Sequence, residues 1–119
     1  MAFRTMPEMT WTAYVGASIS VAAGLLGLVF PTRVSRVVGV SLPTPLGLSE
    51  FRATYGGLFI GAGVAVLAIG THEAALVLGL AWLGAFAARL LSVAVDKSAS
   101  RENLAGLVIE LVVGLLLVL

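Results

Sequence analysis

The feature that most constrains this chain is an uncharged run from Met9 to Thr32, which contains no Asp, Glu, Lys or Arg. About 20 apolar residues in a helix are enough to cross the hydrocarbon core of a bilayer, and this run is longer than that. A second uncharged run, from Ala53 to His72, reaches the same length. We therefore expect at least two membrane-spanning helices.

Two further apolar segments follow, and each is interrupted by one charge. Ala74–Val95 contains Arg89, and Leu104–Leu119 contains Glu110. Only 11% of the residues are charged and 60% are hydrophobic, whereas about 25% are charged in an ordinary soluble domain. The sequence predicts an all-α fold, an integral membrane four-helix bundle that forms a single domain over residues 1–119. The expected helices cover residues 9–31, 50–71, 73–95 and 102–119.

The connection between the first two helices carries a further helical pattern. Apolar residues recur at helical spacing from Val34 to Leu42, beside Arg33 and Arg36. This pattern is typical of a short amphipathic helix that lies in the membrane interface. We expect Ser49 to provide the N-cap of the second spanning helix.

Cations are concentrated at one end of the predicted bundle. The connections 1–2 and 3–4 carry Arg33, Arg36, Lys97 and Arg101, whereas the end with both termini carries only Arg4. The positive-inside rule places the cation-rich connections in the cytoplasm and both termini outside. We therefore predict a multi-pass protein of the inner, cytoplasmic cell membrane.

The composition also argues against several kinds of chemistry. The chain has no cysteine, and its single histidine, His72, has no second metal ligand nearby in sequence. We therefore predict no metal site and no cofactor. The net charge of +1 provides no basis for nucleic-acid binding. The Gly-x-Ser-x-Gly motif of a nucleophile elbow does not occur, and we predict no catalytic residue.

Five polar side chains fall at or below the membrane boundary: Glu50, Arg52, Tyr55, Arg89 and Glu110. With ~1.5 Å of rise per residue, Arg89, Glu110 and Tyr55 lie at roughly the same depth, about 10 Å from the cytoplasmic boundary. An unpaired charge at a helix centre costs ~2.5–3.5 kcal/mol. We therefore expect Arg89 to pair with Glu110 and with either Glu50 or the Tyr55 hydroxyl. All five are predicted to form one polar layer in the cytoplasmic half of the bundle.

Two interpretations of this polar layer stay open. In the first, the charges form an ion-pair network that fixes the register of the helices. In the second, they form the polar end of a ligand-binding pocket, because ionisable residues inside a membrane usually mark a binding site or pathway. All five residues are candidate ligand contacts in the second interpretation.

The glycines of the second helix predict close helix packing. Gly57-x-x-x-Gly61 allows two backbones to approach each other, and Gly56 and Gly63 are expected to contribute to the same packing. The first helix has a similar face of small residues: Gly16, Ser20, Gly24 and Gly27. An alternative use of these glycines is a seam between two copies of the chain.

The block Glu50-x-Arg52-Ala53-x-Tyr55-Gly56-Gly57-Leu58, followed by Arg89-Leu90-Leu91-Ser92 and a lone Glu110, resembles a known family. It is the bacterial membrane family called domain of unknown function 4345. The resemblance covers essentially the whole chain and implies a small four-helix membrane protein with no established activity. A more distant similarity is to the DoxX-type four-helix membrane proteins, some of which are linked to quinone-coupled oxidation.

Three functions are compatible with these features. We favour an accessory or binding protein whose bundle holds a lipid-like or quinone-like molecule, with membrane lipid, a second copy or a larger membrane complex as partners. The alternative is a small proton-coupled transporter, although the first helix has no acidic residue between Met9 and Thr32 and the cation bias opposes dual topology. An intramembrane enzyme with Tyr55 and Glu110 as acid and base is the least favoured.

Overall fold

The computed structural model describes residues 7–119, and over this range the chain is all-helical. Its five helices are α1 (Trp11–Val29), α2 (Pro31–Val38), α3 (Pro45–Ile69), α4 (His72–Val95) and α5 (Arg101–Val118). The all-α prediction is confirmed for these residues. Arg4, which entered the prediction of orientation, lies outside them.

Three of these helices, α1, α3 and α4, are long and apolar enough to cross a membrane. By length and composition, the chain is therefore a membrane protein. Helix α5 has 18 residues and contains Arg101, Glu102 and Glu110. The crossing of the membrane by α5, and with it the complete four-helix bundle, stays a prediction.

Short polar side chains begin the long helices. Thr10, Thr71 and Ser100 each accept a hydrogen bond from a backbone N–H three residues later, at the starts of α1, α4 and α5. Such N-caps satisfy backbone donors that have no partner inside the helix. Helix α3 is capped by Thr44 and has Pro45 at its first position, where proline is favoured. The prediction of Ser49 as N-cap is therefore wrong, and α3 begins five residues before residue 50.

The amphipathic helix predicted between the first two spans is present as α2 but is shorter than expected. It ends at Val38 because Gly39 adopts a left-handed conformation with φ 79°, which stops a helix at little cost in glycine. Pro31 and Ser35 are buried, while Arg33 and Arg36 are exposed. The location of α2 in a membrane interface stays a prediction.

Helix α3 contains a feature that the sequence analysis did not predict, a π-helical segment at Arg52–Leu58. In a π-helix each hydrogen bond spans one residue more than in an α-helix, and such segments occur often at functional sites. Gly56 and Gly57 lie in this segment, where glycine weakens the regular α-helical alternative. The segment rotates the side chains before and after it relative to an ideal α-helical stripe.

Antiparallel packing places α1 at the centre of the fold. Helix α1 packs closely against α3 and α5, and α5 packs along the length of α4, whereas contacts between α3 and α4 are sparse. Just before α1 begins, the backbone N–H of Met9 donates a hydrogen bond to the carbonyl of Gly70. The backbone N–H of His72 donates a hydrogen bond to the carbonyl of Pro7. The segment before α1 and the α3–α4 turn therefore lie together at one end, which we call the His72 end. The α2–α3 and α4–α5 connections lie at the opposite end.

Close packing of α1 on α3 depends on glycines, although not on all of those predicted. A Cβ on Gly56 would lie 3.0 Å from Leu28, and one on Gly63 would lie 2.6 Å from a methyl group of Val21. A Cβ on Gly61 would meet nothing within 4 Å, and one on Gly57 would approach only the carbonyl of Arg52, on the same helix. The predicted Gly57-x-x-x-Gly61 contact is therefore wrong, because both residues lie on the outer side of α3.

The α1–α3 contact generates a prediction with a matched control. Gly63→Ala should destabilise the protein by about 1–3 kcal/mol, because the added methyl group overfills a close interface. Gly61→Ala adds the same group to the same helix in open space and should leave stability unchanged or slightly raised. Thermal unfolding of the two detergent-purified variants measures the difference. Equal melting temperatures would show that the interface is not close-packed.

Candidate functional site

An ion pair joins α4 to α5 inside the protein. The Nε of Arg89 donates to Oε1 of Glu110 at 2.6 Å, and its Nη2 donates to Oε2 at 3.2 Å. Glu110 is buried, with 7% of its surface exposed. Two parallel hydrogen bonds between a guanidinium and a carboxylate define both the distance and the angle between the partners. The predicted pairing of Arg89 with Glu110 is present.

Two further residues of α5 contact the guanidinium group of Arg89. The Nη1 of Arg89 donates to Oδ1 of Asn103 at 2.8 Å. A Cβ on Gly106 would lie 2.7 Å from the Cζ of Arg89, so the absence of a side chain there makes room for the guanidinium. Asn103, Gly106 and Glu110 are three and four residues apart and therefore share one helical face. That face points at α4.

Further hydrogen bonds connect the ion pair to the end of α4. The Nδ2 of Asn103 donates to the carbonyl of Ser98 at 2.6 Å, and the Oγ atoms of Ser98 and Ser92 are 3.5 Å apart. Ser92 donates to the carboxylate of the exposed Asp96 at 2.7 Å. The pair is therefore supported from the α4–α5 connection and is not isolated among apolar side chains.

Arg52 does not join this pair. Its Nη1 donates to the backbone carbonyl of Leu28 at 2.6 Å, in the last turn of α1. A cation at this position satisfies a carbonyl left free by the end of the helix and interacts favourably with the helix dipole. The predicted contact of Arg52 with the polar layer is therefore wrong. Its role in the structure is to cap α1.

Glu50 and Tyr55 form no hydrogen bond with the ion pair. The hydrogen bonds of Arg89 go to Glu110 and Asn103, so neither Glu50 nor Tyr55 is its additional partner as predicted. Together these two residues line a separate pocket of about 270 Å³ beside the α2–α3 connection. Tyr55 lies in the π-helical segment Arg52–Leu58, where the α-helical spacing used in the prediction does not apply.

Tyr55 is instead part of a row of aromatic rings. Its ring stacks on Phe51 with centroids 4.4 Å apart and lies 6.0 Å from Phe59. Phe59 in turn packs against Trp82 of α4 at 5.1 Å. Such offset and tilted pairs are favourable beyond the area that they bury. The row links α3 to α4 where other contacts between them are few.

A cavity of about 260 Å³ opens between α3 and α4, directly beside the buried carboxylate. Glu110 and Ser20 are the residues at its polar end, and Phe59 and Trp82 form part of its wall. The space exists because three facing residues are too small to fill it: Ala62, Ala81 and Ala85. The cavity is therefore apolar except at Glu110 and Ser20.

A second cavity, of about 330 Å³, continues along the same boundary toward Ile69 and Ala74. It shares Ala62, Leu78 and Ala81 with the first. We call the two together the α3–α4 crevice. Between the levels of Leu58 and Ile69 the crevice is ~16 Å long, from 1.5 Å of rise per residue.

The residues that form this crevice, Trp82 and the alanines among them, were not predicted as site residues from the sequence. Ala81 and Ala85 are four residues apart on α4, and a pair of small residues on one helical face was the available signal. That signal is ambiguous, because it predicts close packing as readily as an open space.

The donor set of the site is carboxylate, hydroxyl and amide oxygen together with one guanidinium. Within residues 7–119, no three His, Cys, Asp or Glu side chains come together in a group that would hold a metal ion. Every buried side-chain nitrogen and oxygen in this part of the chain has a hydrogen-bond partner. The arrangement can accept hydrogen bonds at Glu110 and surround an apolar chain.

These features define an all-helical membrane protein with a buried ion pair at the end of an apolar crevice. The chain belongs to the family described as Domain of unknown function (DUF4345), which matches residues 9–119. The predicted family is therefore confirmed. No curated protein and no solved structure matches the chain. The distant DoxX similarity and the bacterial source stay predictions.

Removal of either partner of the ion pair should destabilise the protein. Glu110→Gln leaves the half-buried Arg89 without its counter-ion, and Arg89→Gln leaves the buried Glu110 without its own, at a cost of about 2–3 kcal/mol each. The double variant should lose less stability than the two single variants lose in sum. The difference, the coupling energy of the pair, should be about 0.5–3 kcal/mol. Thermal unfolding of the four proteins in detergent measures this cycle.

Exposed charges on α5 provide the control for this cycle. Arg101→Gln and Glu102→Gln change the same residue types on the exposed first turn of the helix and should each alter stability by less than about 0.5 kcal/mol. Additive effects of Arg89→Gln and Glu110→Gln would mean that the buried pair contributes no coupling.

Proposed function

We propose that this protein is a multi-pass protein of the cell membrane that binds a lipid-like or quinone-like amphiphile in the α3–α4 crevice. The polar group of the amphiphile lies at Glu110, and its apolar chain lies between Phe59, Trp82 and the alanines. Membrane lipid surrounds the bundle. A larger membrane complex or a second copy of the chain is a further partner in this proposal.

The observation that carries the proposal is an apolar crevice with one buried carboxylate at its end. Ligand sites are mostly apolar, with a few polar groups that orient the ligand. Ionisable residues within a membrane are rare and usually functional. Glu110 is 7% exposed and nevertheless borders the cavity, so a molecule in the crevice would touch it.

The size of the crevice favours an amphiphile over a compact ligand. The cavity at Glu110 holds about 260 Å³, just below the roughly 300–1,000 Å³ of sites that enclose a drug-sized molecule. It is large enough for one head group or a short length of chain. The rest of a longer molecule would continue along the crevice toward Ile69 or into the surrounding lipid.

The position of the crevice changes the predicted side of access. The crevice extends from Glu110 toward Ile69 and Ala74, at the His72 end of the bundle. From the sequence, the ligand was predicted to lie in the cytoplasmic half of the bundle, with Arg52 and Tyr55 among its contacts. A chain in this crevice would instead lie in the leaflet at the His72 end, the outer leaflet under the predicted orientation.

The geometry supports binding better than transport or catalysis. A proton-coupled transporter needs a carboxylate that exchanges its partners, whereas both oxygens of Glu110 accept from Arg89, which Asn103 and Gly106 hold in place. An enzyme with Tyr55 and Glu110 as acid and base needs both groups at one substrate. Tyr55 lines a different pocket from Glu110.

We further propose that α1, α3, α4 and α5 all cross the membrane. Helix α5 packs along α4 and α1 and places its charged side chain Glu110 against Arg89 inside the protein. Pairing removes most of the penalty that an isolated charge would impose on insertion. Four antiparallel crossings would place the cation-rich α2–α3 and α4–α5 connections in the cytoplasm.

Cysteine labelling tests this arrangement without background, because the chain contains no cysteine. Four exposed sites are suitable for single variants: Ser41→Cys, Glu73→Cys, Ala99→Cys and Leu119→Cys. In intact bacterial cells an impermeant maleimide should label Glu73→Cys and Leu119→Cys, whereas the other two should react only after the membrane is opened. Labelling of Ala99→Cys and Leu119→Cys from the same side would exclude a crossing by α5.

Filling the crevice should remove the bound amphiphile. Ala85→Leu places a larger side chain beside Glu110 and Trp82 and should lower the amount of copurified amphiphile by about tenfold, equivalent to 1.4 kcal/mol. Ala87→Leu makes the same change on α4 at a position that borders neither cavity of the crevice and should retain the amphiphile. Mass spectrometry of extracts from gently purified, monodisperse protein measures the amphiphile. No amphiphile in the unaltered protein, or equal amounts in both variants, would contradict the proposal.

A further inference from the structure

We infer that the molecule bound in the α3–α4 crevice presents an uncharged hydrogen-bond donor, a hydroxyl or a phenol, to Glu110. This inference rests on the proposed function, since it concerns the ligand of the same crevice. It names the class of head group that the site accepts. It predicts discrimination against carboxylate, phosphate and ammonium head groups and against groups that only accept hydrogen bonds.

Only the acidic half of the ion pair borders the crevice. The residues that border the cavity include Glu110, while Arg89 is not among them. All three guanidinium nitrogens of Arg89 already donate, Nε and Nη2 to Glu110 and Nη1 to Asn103. A ligand therefore meets a carboxylate and not a cation. An anionic head group would lose its hydration there and meet a hydrogen-bond acceptor in place of a donor, which is unfavourable.

A cationic head group is also disfavoured in the crevice. The charge of Glu110 is already balanced by the bidentate bond from Arg89. An ammonium group in the crevice would lose its hydration while gaining only part of the attraction of a free carboxylate. Because Phe59, Trp82 and the alanines supply no second acidic side chain, that loss is not compensated. An uncharged head group avoids this penalty.

The hydrogen-bonding capacity of Glu110 favours a donor on the ligand. An ionised carboxylate only accepts hydrogen bonds, and its two oxygens offer about four acceptor sites. Arg89 occupies one site on each oxygen, so acceptor capacity remains on Glu110. Ser20, the other polar residue of the cavity, already donates its proton to the carbonyl of Phe59 at 3.3 Å. A hydroxyl on the ligand would satisfy Glu110, whereas a ketone, ester or ether would leave it unmatched.

The same reasoning discriminates between two redox forms of one molecule. A quinol carries two phenolic hydroxyl groups, whereas the corresponding quinone carries only carbonyl acceptors. If the ligand is quinone-like, the crevice should bind the reduced form in preference to the oxidised form. A long-chain alcohol satisfies the same requirement, and the experiment below uses simple alkyl probes because their head groups can be varied one at a time.

Trp82 provides a reporter at the site. The chain has two tryptophans, and Trp11→Phe removes the exposed one on α1, so that Trp82 in the crevice wall remains. Four dodecyl probes with bromine close to the polar end are titrated into this variant in nanodiscs: an alcohol, its methyl ether, a carboxylate and an ammonium. Quenching of the Trp82 fluorescence by bromine measures their binding.

We expect saturable quenching by the alcohol and binding at least about tenfold weaker for the ether and the carboxylate, because a hydrogen bond to a charged group is lost or replaced by repulsion. Equal or tighter binding of the ether, the carboxylate or the ammonium would overturn the inference. Absence of saturable quenching by all four probes, or quenching that Ala85→Leu does not reduce, would overturn the proposed function instead.

A variant at the carboxylate gives a second readout. Arg89→Gln combined with Glu110→Gln removes both charges together and so avoids an unpaired buried ion. It should bring the affinities of the alcohol and the ether within about threefold of each other, because an amide both donates and accepts. Glu102→Gln, an exposed acid on the same helix, should leave the preference for the alcohol unchanged. A preference that survives the double variant would mean that Glu110 does not select the head group.

Discussion

The arrangement of this protein depends on the pairing of Arg89 with Glu110. Neither charge is tolerated alone inside a membrane, and the two parallel hydrogen bonds between them fix the height and rotation of α4 relative to α5. Gly106 allows the guanidinium to lie against the α5 backbone, and Asn103 holds its third nitrogen. A shift of either helix by one turn would separate the pair, so this interaction selects one register among many that apolar packing alone would allow.

The crevice is a consequence of how the remaining helices pair. Helix α1 packs closely against α3 at Gly24, Gly56 and Gly63. Helix α5 packs against α4 through the ion pair and through close contacts at glycines. Helices α3 and α4 are left with sparse contacts to each other, and the Phe59–Trp82 pair holds them together at one level. Since Ala62 and Ala81 cannot fill the space between them, a membrane-exposed opening results. Its polar residues are Glu110, the half of the ion pair that borders the opening, and Ser20.

Much of the fold was predictable because it follows from local rules. Long apolar runs predicted α1, α3 and α4, and the cost of an isolated charge predicted the Arg89–Glu110 pair. The site was only partly predictable. Arg52 and Tyr55 were expected to face Glu110, since ideal helical spacing was assumed through Arg52–Leu58. That segment is a π-helix. The α-helical spacing of side chains does not hold within it, so the spacing could not reveal the change. The alanines of the crevice were missed because small residues are equally compatible with contact and with space.

The sequence by itself determined that this is an all-helical membrane protein with its two deepest charges paired, because both conclusions follow from the cost of exposing backbone and charge to hydrocarbon. Only the tertiary structure decided which small residues meet and which leave a gap. Gly63 is in contact while Gly61, two residues earlier, is open. That difference depends on the rotation of α3 about its own axis, which the π-helical segment and the packing against α1 set together. The candidate site therefore lies where no pair of helices closed completely.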